Sequence, residues 1–119
     1  MSFRFGLEIT GVKGYISKDS KKIAQIGQFF ITKDADEKAV VIVNTHCDLP
    51  IRDRHNQPNF TEHALTVFKL NQVALLTTWN LYQMVYDVIT DSRSNREIIE
   101  LIASTVGELL YDPVCPLIQ

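Results

Sequence analysis

The sequence predicts a three-layer α/β domain with a small mixed or parallel sheet flanked by helices. Three observations predict it. Residues 39–43 read Ala-Val-Val-Ile-Val, an unalternating β-branched run too short for a helix of ordinary length. Such a run is expected of a strand buried on both faces, at the centre of a sheet. Segments with helical spacing of apolar residues stand before and after it, so strands and helices alternate along the chain. The polar set Asn44, Thr45, His46 and Asp48 follows the run directly. In open α/β sheets, ligands bind at the C-terminal ends of the strands.

The elements follow in order. From Phe3 to Thr10 the chain alternates, with Phe3, Phe5, Leu7 and Ile9 on one side and Arg4, Gly6, Glu8 and Thr10 on the other. This predicts a strand with one buried face. Gly11 and Gly14 bracket a turn. Asp19 or Ser20 caps a helix beginning near Lys21, with Ile23, Ile26, Gly27 and Phe30 as its apolar stripe. After a charged loop, Lys33 to Lys38, comes the strand at 39–45, and strand–helix–strand predicts a right-handed parallel crossover. The loop 46–60 is long and polar, with Pro50, Pro58, Arg52, Arg54 and His55. Thr61 caps a helix with Ala64, Leu65 and Phe68 on its buried face, Phe60 and Leu65 are placed as a hydrophobic staple, and Asn71 ends it. A third buried strand runs from Val73 to Leu76. Thr77 or Thr78 caps a helix holding Trp79, Tyr82, Met84, Val85, Tyr86, Val88 and Ile89. Ser94 and Glu97 form a capping box for a last helix that carries Ile98 through Leu110 and ends at Asp112-Pro113.

Composition narrows the function classes. The 119 residues suffice for one domain. No apolar run approaches the roughly 20 residues of a membrane span, and Met-Ser-Phe-Arg-Phe does not open a signal peptide. A net charge of −2 gives no overall attraction to nucleic acid, so such binding needs a local basic patch. Cys47 and Cys115 lack metal-type spacing and read as reduced, buried thiols of a cytoplasmic protein. Consecutive residues such as His46, Cys47 and Asp48 cannot all turn to one ion. Gly11-Val-Lys-Gly14 is a turn, without the glycine pattern of a phosphate loop.

Particular words in the chain resemble a known family. Leu7-Glu-Ile-Thr-Gly11, then Gly14 and Ile16, is similar to the strand-and-turn segment of restriction-endonuclease-like domains, the PD-(D/E)xK nuclease superfamily. Val40-Val-Ile-Val-Asn44, Leu49-Pro50, Arg54, Phe60-Thr-Glu-His-Ala64 and Ala74-Leu-Leu-Thr-Thr78 look like the C-terminal part of a subgroup of these domains. The resemblance spans about residues 5–90. It implies Mg²⁺ held by two acidic residues beside a phosphate, with a Lys two positions past the second acid activating water. Glu8 matches the second acid and is the implied metal ligand and catalytic position. Thr10 replaces the motif Lys, and Lys13 is the residue that would reach back in its place. The first acid comes from a preceding hairpin, and almost nothing precedes the Glu8 strand. Three readings stay open: a piece of a larger nuclease-like protein, a degenerate domain that binds or assembles without cutting, or a shared fold with another use.

The expected nucleic-acid contacts are Lys13, Lys18, Asn44, Arg52 and Arg54, with DNA as the partner and Mg²⁺ as the only cofactor. His55 and His63 have no evident partner, and Ser17 and Ser20 read as turn or cap residues. The missing hairpin would leave strand 3–10 an open edge with an apolar face. The expectation is a homodimer, or a missing N-terminal segment, that covers this strand or the last helix. The competing function is a non-catalytic interaction domain that dimerises.

Overall fold

The computed structural model describes residues 4–11, 14–15, 37–54 and 58–114. The helix expected from Lys21, with Ile23, Ile26, Gly27 and Phe30, lies outside the described residues. Strands β1 (Phe5–Gly11), β2 (Lys38–Asn44), β3 (Ala74–Thr77) and β4 (Gly107–Glu108) form one parallel sheet in the order β1-β2-β3-β4. Helices α1 (Ile51–Arg54), α2 (Glu62–Leu70), α3 (Thr78–Ile89) and α4 (Asn95–Ser104) complete the described fold. This is the expected three-layer α/β arrangement.

β2 is buried on both sides because its side chains are apolar on both. Ala39, Val41 and Val43 face α2 and pack with Phe60, Ala64, Phe68, Val73 and Leu75. Val40 and Ile42 face the other way, with Ala74, Leu76, Met84 and Ile98. Two thin cores thus share the sheet between them. The opening strand and the Val-rich strand run the same way, with Leu7 beside Val40 and Gly11 beside Asn44.

The caps are those the residue types demand. The Thr61 hydroxyl accepts from the Ala64 N–H at 3.2 Å. Thr77 and Asn80 exchange bonds at the start of α3, and Ser94 and Glu97 do so at the start of α4. Each such cap supplies about 1 kcal/mol by satisfying otherwise orphaned N–H groups.

Three expectations are corrected. The last helix does not reach Leu110. It stops at Ser104, and Gly107–Glu108 joins the sheet as β4, with the Gly107 N–H donating to the Val73 carbonyl at 2.7 Å and the Leu109 N–H to Leu75 at 2.8 Å. Ile98, Ile102 and Leu109 keep a helix-like spacing, but the backbone turns extended at Thr105, ψ 133°, and left-handed at Gly107, φ +87°. The face of β1 carrying Phe5, Leu7 and Ile9 is buried only at its start: Phe5 packs against the Val40 and Ile42 core, while Leu7 and Ile9 are 53% and 67% exposed. Among the described residues β1 is an edge strand, and α3 packs over β2 and β3 instead. Cys47 is exposed, because it sits in the turn that follows β2 rather than in the core.

Gly107 also carries a prediction. A Cβ there would meet the Lys69 side chain at 2.9 Å, on a backbone that L-residues disfavour. Gly107→Ala is expected to cost about 1–2 kcal/mol, read as a lower urea midpoint at unchanged slope.

Candidate functional site at the strand tips

The connections between strands create a crevice. The chain leaving β2 crosses the face covered by α2, and the chain leaving β3 crosses the opposite face with α3 and α4. Both steps move the same way across the sheet, so the two connections have opposite hands and one is of the rare left-handed kind. Where neighbouring strand tips send the chain to opposite sides, a notch opens between them. Here that notch lies between the ends of β2 and β3.

Asn44 ties the notch together. Its side-chain oxygen accepts from Arg54 Nη1 at 2.8 Å and from the Thr78 hydroxyl at 3.1 Å, so it bridges the β2 tip, α1 and the first turn of α3. Arg54 braces the loop with its other nitrogens. Nε donates to the Leu49 carbonyl at 2.7 Å and Nη2 to the Cys47 carbonyl at 3.1 Å. Three nitrogens engaged once each leave two N–H groups of the guanidinium for a ligand.

The neighbours are equally fixed. His46 is buried with a left-handed backbone, φ 53°. Its Nε2 lies 2.7 Å from the Pro58 carbonyl. A carbonyl only accepts, so Nε2 carries the proton there. The Thr45 hydroxyl donates to the Asn59 side-chain oxygen. Asn59 in turn hydrogen-bonds Glu108, whose carboxyl is pushed up from its ordinary pKa by burial, with the Asn59 bond opposing. Asn59, Trp79, Asn80, Gln83 and Glu108 line a polar cleft of about 240 Å³ beside the notch.

The structure brings Asn44 and Arg54 together but does not bring Glu8 to them. Glu8 is partly exposed and pairs with Val41, so it stands on the α2 face. Strand alternation puts Asn44, next after Val43, on the other face. The register also leaves Glu8 three residues short of the tip, about 10 Å back. Lys13, Lys18 and His55 lie outside the described residues, as do the side chains of Thr10 and Arg52 and the residues Ser17, Ser20 and Cys115. His63 is exposed on α2. Among the described residues no three His, Cys, Asp or Glu side chains gather where a metal ion would sit. No metal-dependent step is derived from the described residues.

A second polar centre has no sequence signal short enough to read. Asp87 is fully buried near the end of α3. Its Oδ2 accepts from the Tyr111 hydroxyl and from the Val114 N–H at 2.9 Å, and Arg93 Nε stands 3.7 Å away. Arg93 also lies over the Tyr111 ring at 5.5 Å and donates to the Asp112 carbonyl at 3.1 Å. The partners are 6 to 27 positions along the chain, beyond any local pattern.

Burial, then the hydrogen bond to Asp87 and its negative charge, push the Tyr111 hydroxyl up to about 12, against the opposing pull of Arg93. The folded pKa exceeds the unfolded one of about 10, so the stabilisation is whole below pH 10 and is lost as pH rises towards 12. Stability measured across that window should fall more steeply in the native chain than in Tyr111→Phe, and tyrosinate absorbance should show one late-titrating group.

No helix among the described residues is long and apolar enough to cross a membrane. No protein-family model, curated protein or solved structure matches the chain.

Proposed function

We propose that this chain is a restriction-endonuclease-like domain that binds nucleic acid at the strand-tip end of its sheet and does not cut it alone. The observation that supports this reading most is the parallel, in-register pairing of β1 with β2, which ends in the polar notch at Asn44. That is the arrangement the family words in the sequence call for. The free N–H groups of Arg54, with Lys13, Lys18 and Arg52, are the proposed phosphate contacts. Glu8 keeps the family's acidic position, and Thr10 cannot supply the charge of a Lys. The exposed thiol of Cys47 suits a reducing compartment such as the cytoplasm.

Fluorescence anisotropy with a short DNA duplex tests the reading. Binding should weaken steeply as salt rises, as phosphate contacts require. Plasmid incubated with Mg²⁺ or Mn²⁺ should stay intact, and Glu8→Ala should bind as the native chain does. Salt-independent binding, or none, would overturn it.

The second reading is an assembly domain that dimerises. It is favoured by β1, an edge strand among the described residues, with Leu7 and Ile9 exposed.

A further inference from the structure

Helix α3 presents an unusual surface. Leu81, Val85 and Ile89 form one i, i+4 row and Tyr82 and Tyr86 the next, and all five are exposed, from 36% to 72%. The row Leu81–Val85–Ile89 borders two apolar grooves. One, of about 370 Å³, lies between α3, α4 and the Leu7 side of β1. The other, of about 410 Å³, lies along the outer side of α3 with Tyr82 and Tyr86. The patch is therefore continuous from β1 across α3.

Charge is missing from it. Among the twelve residues of α3 only Asp87 is charged, and Asp87 is fully buried. A surface helix ordinarily turns a charged face to water. With no exposed cation, this face does not suit nucleic acid, and with no charge of either sign it has no complement to offer a charged partner.

We infer that the exposed face of α3 is an isologous interface between two copies of this chain. This rests on the assembly reading above and names its surface. A two-fold interface sets the same residues against themselves, so a charged stripe would repel its copy and a neutral one does not. The area fits. The exposed parts of Leu81, Tyr82, Val85, Tyr86, Ile89 and Ile99 amount to on the order of 600 Å², by the sizes of such side chains. A standard interface takes about 800 Å² from each partner, and Leu7 at the rim supplies part of the difference. Tyr is among the side chains enriched in such interfaces. Packing the i, i+4 ridges of the two helices against each other places Val85, the middle of its row, nearest the symmetry axis.

Sedimentation velocity on the full chain tests this, with Val85→Glu as the variant. Val85 is 48% exposed, so the substitution leaves the core intact, and circular dichroism should be unchanged. The native chain should dimerise with a roughly micromolar Kd, and Val85→Glu should weaken this about 100-fold or more. In a Cys47→Ser, Cys115→Ser background, Val85→Cys should form a disulfide dimer on oxidation, as expected of a residue at the axis. A native chain that stays monomeric at about 100 µM overturns both the interface and the assembly reading. A dimer that survives Val85→Glu but is lost on Ile9→Lys overturns this interface alone, since pairing then runs through β1. A monomeric patch filled by another protein would show as the first of these outcomes.

Discussion

Asp87→Ala is expected to lower the unfolding free energy by about 3–5 kcal/mol, the usual effect of breaking a buried charge pair from one side. The carboxylate receives the Tyr111 hydroxyl and the Val114 N–H and faces Arg93. Alanine removes two of the bonds that hold the tail at 111–114 and leaves Arg93 Nε, already buried, without its counter-charge. Domains of this size are stable by about 5–15 kcal/mol, so a large part of the chain's stability would go. Asp87→Asn keeps an acceptor but loses the charge, and should fall between. Tyr111→Phe removes one bond to a charged group, worth about 1.5–3 kcal/mol. Because these residues share one network, the double variant Asp87→Ala, Tyr111→Phe should cost less than the two single effects combined. Urea unfolding of the four proteins checks this, and an Asp87→Ala midpoint close to the native one would contradict it.

Phe68→Ala is expected to cost about as much, roughly 3–5 kcal/mol, for a different reason. Phe68 is 1% exposed and meets Phe60 edge to face, with centroids 6.3 Å apart and planes at 76°. It fills the space between α2 and the Val41, Val43 and Leu75 side of the sheet. Among the described residues that core is thin, one helix against β2 and the start of β3, so little there can move in to close the cavity. Phe68→Leu keeps most of the volume and should cost about half as much or less. Thermal melts of both variants, together with Leu65→Ala as a partly buried control, would separate cavity formation from loss of helix propensity.

The sheet was legible where one residue type decided the matter. Residues 40–43 are β-branched without interruption, and no helix of ordinary length or half-exposed strand accommodates such a run. The helix starts were legible because Ser94 with Glu97, and Thr77 ahead of an apolar run, are local devices that work without tertiary help. β4 was not legible. It has two residues, and the apolar spacing from Ile98 to Leu109 suits a helix as well as it suits a helix that stops and turns. The extended backbone at Thr105, followed by the left-handed one at Gly107, decides between them. The exposed side of β1 was misread because alternation says which side chains share a face, and not whether anything covers it.

The site was legible in part for the same reason. Asn44 at the end of a buried run and Arg54 in the following loop pointed to the strand tips, where they meet. That Glu8 would stand on the other face depended on the β1–β2 register, which a one-residue shift would have reversed. Asp87 gave no signal, because a lone acid in an apolar helix reads as its solvent side until the tail returns to cover it.

The spatial order of the strands is their order of synthesis. Each strand joins the side just left open by the one before, and none must be threaded between two already in place. The sheet can therefore accrete during translation, as nascent domains do when their contacts are available in sequence. Asp87 is the exception. Its ligands at 111 and 114 leave the ribosome after α3 and α4, so the end of α3 stays hydrated until synthesis has passed Val114. A chain truncated after Leu110 should expose this helix end to protease, and the full chain should protect it.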